Sequence, residues 1–170
     1  MSNEQHAERL KKLDLIRQMG IDPFGQKFSG AQPISGVVGG YRPEEENKPA
    51  TIAGRVMAIR GHGKASFADI RDQSGRMQFY VKNDVVGEEQ FKLFRLLDIG
   101  DLVGLSGKVF KTKTGEITIQ VEKLTLLAKA LHPLPEKWHG LKDPEIRHRH
   151  RYLDMIANPA AIQLALVRGA

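Results

Sequence analysis

Apolar positions recur with a period of two through most of residues 50–129 and with a helical period in the segments around them. In residues 4–19, Leu10, Leu13, Ile16 and Met19 fall near one stripe, Arg17 shares the place of Ile16, and charges fill the rest. That spacing predicts an amphipathic helix, stopped by Gly20 with Pro23 just beyond. Residues 20–49 hold four prolines and six glycines, which predicts an extended arm with little regular structure.

All eight prolines lie outside residues 50–129. Proline removes a ladder hydrogen bond, so this stretch is where a compact sheet is expected. Its strand-like runs are ATIAGRVMAIR (50–60), ASFADIRD (65–72), RMQFYVK (76–82), LVGLSGKVFK (102–111) and EITIQVEKLTLL (116–127). Gln73-Ser74-Gly75 predicts a tight turn between the second and third runs, and Thr114-Gly115 one between the fourth and fifth. Residues 87–98 break the alternation: Phe91, Phe94 and Leu97 sit at helical spacing, with Leu93 beside them.

The order is three strands, a helix, then two strands. It predicts a mainly β fold with flanking helices. The architecture is a five-stranded Greek-key barrel of the oligonucleotide/oligosaccharide-binding (OB) type, with an N-terminal helix and a helix between strands three and four. A small open sheet of another α+β type has the same order and stays open at this point. The expected organisation is a helix and arm over 1–49, the barrel over 50–129 and a hinge over 130–157. Over 158–170, Asn158-Pro159 begins a last helix, read as the truncated start of a further domain.

Alternation sorts the strand residues into faces. In the third strand Met77, Phe79 and Val81 form the core face, so Gln78, Tyr80 and Lys82 point outward. In the second, Ile70 and Ala68 mark the core, which puts Phe67 outside with Asp69 and Arg71. A large aromatic among charges on an outer face is the informative kind of exception. An unpaired nucleobase can stack on such a ring. A nearby amide offers a donor and an acceptor to its Watson–Crick edge, which suits uracil. Gln78 lies eleven residues after Phe67, across one turn, so the two can meet on adjacent strands. The plainer alternative has Phe67 packed under the N-terminal arm and Gln78 solvated.

The loop RGHGK at 60–64 supplies Arg60 and Lys64, and KTKTGE at 111–116 supplies Lys111 and Lys113. Such loops hold a strand in OB barrels, and these cations suit phosphates, although each lysine taken singly is also an ordinary solvated charge. Glu116 repels phosphate; it reads as an acceptor for a base amine or imino proton, or as a strand-end charge. Simple alternation gives Arg60 the inward parity of Val56, so a bend near Gly54 or Gly61 is needed to turn it outward.

Composition narrows the chemistry. The chain has 26 Lys and Arg against 20 Asp and Glu, a net +6 that favours a polyanionic partner. It has no cysteine, which excludes disulfides, thiolate metal sites and cysteine nucleophiles and suits a reducing cytoplasm. No apolar run reaches the roughly 20 residues of a membrane span, and the N-terminus carries no secretory pattern. His148 and His150 alternate with Arg147, Arg149 and Arg151, and those cations oppose a metal ion, so no metal site is expected. No phosphate loop, nucleophile triad or carboxylate pair stands out, and no catalytic residue or cofactor is assigned to these 170 residues.

The stretch HPLPEKWHGLKDPEIRHRHRYLDMI at 132–156 resembles the hinge of lysyl-tRNA synthetases between their small tRNA-reading domain and their large catalytic domain. GKASFADIRDQSGRMQFYV at 63–81 is similar to the class II lysyl, aspartyl and asparaginyl group, and PFGQKF at 23–28 with FKTKTGEITI at 110–119 points to the lysyl member. The resemblance spans residues 8–158. It implies that Phe67 stacks on the middle anticodon base, a uracil, that Gln78 bonds to it, and that Glu116 and Arg60 also touch the anticodon. The implied partner is the anticodon stem-loop of lysine tRNA. The implied parent is a cytoplasmic, homodimeric lysine–tRNA ligase that uses ATP and Mg²⁺, its catalytic domain lying beyond Ala170. The rival from another class is a free-standing OB-type RNA-binding protein without enzymatic activity.

Overall fold

The computed structural model describes residues 3–25, 27–61, 63–134 and 144–169. They fall into two compact units, Met1–His132 and Pro133–Ala170. Of the expected hinge, residues 135–143, including Trp138 and HGL at 139–141, lie outside the described residues.

The first unit is built on strands β1 (Pro49–Arg60), β2 (Ala65–Arg71), β3 (Arg76–Lys82), β4 (Leu102–Lys111) and β5 (Ile117–Ala128). They close a barrel in the order β1-β2-β3-β5-β4. All neighbours are antiparallel except β3 and β5, whose parallel pairing of Gln78 with Thr118 and Phe79 with Ile119 closes the ring. This is the expected barrel, and the open sheet is set aside. The expected faces hold too: Met77, Phe79, Val81, Ala68 and Ile70 are all buried. They meet Ile52 and Val56 of β1, Val103 and Leu105 of β4, and Ile119 and Val121 of β5. Full burial of each of the larger of these side chains contributes about 1.5–3 kcal/mol.

Two glycines let the strands coil this tightly. A Cβ on Gly54 would stand 2.5 Å from the Arg71 carbonyl oxygen, and one on Gly107 would stand 1.9 Å from that of Gln120. Neither position has room for a side chain, and Gly107 adjoins the register shift between β4 and β5.

Helices α1 (Asn3–Gln18), α2 (Ile34–Gly39), α3 (Asn83–Val86) and α4 (Glu88–Arg95) flank the barrel. In α4 and the turn after it, Phe91, Leu93, Phe94 and Leu97 are buried against the core, as their spacing requires. The short α3, which the sequence pattern does not announce, precedes α4.

Two expectations need correction. Leu10 does not join the buried stripe of α1; it is exposed, whereas Leu13 and Ile16 are buried. The inward place is taken by Arg9, which donates to the carbonyls of Ala130, His132 and Ile99. The arm is also more regular than its glycines and prolines suggest, holding α2 and a 3-10 turn at Pro43–Glu45. Pro33 pre-sets the entry to α2, the Ile34 N–H donates to the Asp72 carboxylate at 2.9 Å, and Ile34 itself is fully buried.

In the second unit, α5 (Pro144–Arg149), α6 (Arg151–Ala157) and α7 (Pro159–Gly169) follow one another. Asn158-Pro159 opens α7 as the sequence predicts. Arg147 of α5 pairs with Asp154 of α6 at 2.9 Å. Hydrogen bonds from Asn158 and Arg147 hold the Asp154 carboxyl below the ordinary carboxylate range. His148 lies in α5, and His150 occupies the N-cap position of α6 without a side-chain capping bond.

Candidate nucleic-acid interface

The outer face of β1, β2, β3 and β5 carries the candidate site. Its geometry starts with an extra residue in β1. Val56 pairs with Ile70, but Ala58 pairs with Asp69, so Met57 has no partner of its own and the strand changes phase. Beyond that bulge Arg60 stands opposite Phe67 on the outer face. The outward turn of Arg60 is thus real, and it arises at Met57, not near Gly54 or Gly61.

Phe67 is partly buried and absent from the core cluster. It is paired across the strands with Tyr80, the two ring centroids 4.7 Å apart and tilted by 33°. Tyr80 meets Phe110 edge-on at 6.4 Å. Three aromatic rings therefore run across β2, β3 and β4 on the outside of the barrel. Each ring braces the next, which holds Phe67 in place while leaving part of it open.

Asp69 faces outward as parity predicts, but it is only 1% exposed. Arg60 donates to one of its carboxylate oxygens at 2.9 Å, and Arg76 donates to the other. A buried carboxylate is tolerated only when so paired. In return it anchors the Arg60 guanidinium beside Phe67, while 52% of the Arg60 side chain stays exposed.

Gln78 pairs with Asp69 on one side and with Thr118 on the other. The buried Thr118 hydroxyl donates to Gln78 Oε1 at 3.0 Å. That bond leaves the two N–H donors of Nε2 uncommitted among the described residues.

The basic and acidic candidates lie at the rim. Lys64 is exposed in the β1–β2 connection. Lys111, Lys113 and Glu116 are exposed around the β4–β5 turn. That turn is tied by the Thr112 hydroxyl, which accepts from the Glu116 N–H at 3.0 Å, and by Thr112 N–H donating to the Glu116 carbonyl at 2.9 Å. Gly115 supplies the positive φ of 89° that the turn needs.

The structure brings Arg60, Phe67 and Gln78 together on one face and sets Lys64, Lys111, Lys113 and Glu116 at the loops around it. Sequence reasoning missed the roles of Tyr80, Phe110, Asp69, Arg76 and Thr118. Parity places Tyr80 outward; the ring contacts and the bonds to Asp69 and Gln78 have no local signature. No group of three or more His, Asp or Glu that could hold a metal occurs among the described residues.

The chain is similar to known proteins over most of its length. The family of OB-fold nucleic acid binding domains matches residues 50–127. Over 167 residues, 98% of its length, the chain is 52% identical to the lysine–tRNA ligase of Thermoanaerobacter sp. (strain X514), of which it covers 33%. It is 49% identical over 166 residues to that of Moorella thermoacetica, covering 34% of it. With the lysine–tRNA ligase of Bacillus subtilis it shares 47% identity over 163 residues, 92% of this chain and 33% of the relative. The chain thus spans about a third of the length of the curated relatives it matches.

Proposed function

We propose, because residues 50–127 match the tRNA anticodon-binding family of OB-fold domains, that this barrel reads the anticodon stem-loop of a lysine tRNA as part of a lysine–tRNA ligase. Phe67 stacks on the middle base, a uracil, and Gln78 hydrogen-bonds to it. Arg60 and Glu116 touch neighbouring anticodon groups. Lys64, Lys111 and Lys113 neutralise phosphates, so affinity falls with salt. The parent enzyme in this reading is a class II, homodimeric, cytoplasmic ligase that activates lysine with ATP and Mg²⁺. None of the described residues is assigned to that chemistry, and the barrel's task is to place the tRNA.

The observation that carries this reading is the partly open Phe67 ring, braced by Tyr80 and flanked by Arg60 across the strands. No helix of the described residues is long and apolar enough to cross a membrane. The experiment is titration of the 170-residue chain with a lysine anticodon stem-loop. Phe67→Ala should weaken binding by about 1–3 kcal/mol, the usual worth of one stacked base. Unchanged affinity in a folded variant would remove the stacking role.

A further inference from the structure

We infer that Thr118 is a positioning residue that sets which pyrimidine the site accepts, by locking the side-chain amide of Gln78 with its N–H donors toward the base. The inference rests on the anticodon reading and deepens it.

Thr118 is fully buried on β5, directly across from Gln78 on β3. Its hydroxyl has one proton to give. Two acceptors lie within reach, Gln78 Oε1 at 3.0 Å and the Glu116 carbonyl oxygen at 3.3 Å. The shorter bond goes to Gln78. Water does not reach the hydroxyl, so the choice of acceptor is made inside the protein. Once Oε1 is held by Thr118, Nε2 is the half of the amide left for a ligand.

The consequence is chemical. At its 4-position uracil carries an oxygen, an acceptor, whereas cytosine carries an amine, a donor. A locked N–H donor pairs with the first and meets donor-to-donor repulsion from the second. A free amide can turn over and offer its oxygen to cytosine instead. Discrimination therefore needs the lock as well as the glutamine. If the hydroxyl gave its proton to Glu116, it would accept from Nε2, Gln78 would present oxygen, and the preference would reverse.

The test compares stem-loops with uracil or cytosine at the middle position, binding to the 170-residue chain. The wild type should prefer uracil by about tenfold or more, the range of one hydrogen bond gained or lost. Thr118→Val keeps the shape and removes the hydroxyl; the preference should shrink about tenfold. Thr118→Ser keeps the hydroxyl and should retain the preference. A stem-loop carrying pyrimidin-2-one, which lacks the 4-oxygen, should bind the wild type about tenfold more weakly than uracil. That readout needs no variant and so stands even if Thr118→Val does not fold. If Gln78→Ala abolishes the preference and Thr118→Val leaves it intact, the lock is wrong and the glutamine reading survives. Loss of the 4-oxygen without effect, or a wild type preferring cytosine, overturns the lock as well. A Gln78→Ala variant that keeps the uracil preference removes the anticodon role of Gln78 itself.

Discussion

Phe67 and Asp69 sit two residues apart on the same face of β2, yet the ring is partly open and the carboxylate is sealed. The difference lies in their neighbours. Arg60 and Arg76 close over Asp69, while Phe67 is flanked by Tyr80, whose tilted ring supports it from one side. Parity alone placed Phe67, Gln78 and Tyr80 outward. It placed Asp69 outward as well but gave no sign that the carboxylate is sealed, because burial by two long side chains from other positions leaves no trace in a period of two. At the rim, Lys113 is exposed in the β4–β5 turn. Lys113→Ala should weaken binding of all stem-loop sequences alike. It should also reduce the slope of log affinity against log salt by about 0.7, the worth of one phosphate contact on a single strand. Titrations at several salt concentrations check this, and an unchanged slope would place the phosphate elsewhere.

Among elements, α1, the loop after α4 and the chain after β5 are fastened by one ion network. The Lys129 ammonium is fully buried and donates to Asp98 at 2.6 Å and to Asp101 at 2.9 Å. Lys12 of α1 pairs with the same Asp98 at 2.6 Å. Asp101 also accepts from the Ala130 N–H at 2.7 Å and from the Asp98 N–H at 2.7 Å. Taking the charge from Asp101 leaves a buried ammonium short of a partner. Asp101→Asn should therefore lower stability by about 3 kcal/mol in urea denaturation. A change below about 0.5 kcal/mol, the size of an ordinary surface substitution, would show that the network adds little. Nothing in the sequence pattern pointed to these charges, which come from segments separated by 86 and 31 positions.

Across the whole molecule, lowered carboxyl groups shape the response to acid, and Asp98 and Asp72 are two of them. Burial pushes Asp98 up, but hydrogen bonds and charge from Lys12 and Lys129 outweigh it and hold the group below its ordinary range. Asp72 is likewise pushed up by burial and pulled lower by bonds from Ile34, Ser74 and Gly75. A folded-state value below the unfolded one means that the stabilisation is complete above the unfolded value, about 4. It is lost as pH falls through the lowered values. Thermal melts from pH 7 downward should show little loss due to these groups until about pH 4 and then a decline. A melting temperature that rises on acidification below that point would contradict the assignment. The same chain shows where local pattern ends. Proline-free alternation, turn glycines and one helical period determined the five strands, their order and the outward side of β2 and β3, since each signal is carried by residues a few positions apart. The phase change at Met57 that turns Arg60 outward, the sealing of Asp69, the folding of α2 onto Asp72 and the bond from Thr118 to Gln78 were decided only by the closed barrel. Each of these depends on which strand or segment comes to lie beside which, and a pairing between positions 40 apart is set by packing of the whole and by no periodicity within either strand.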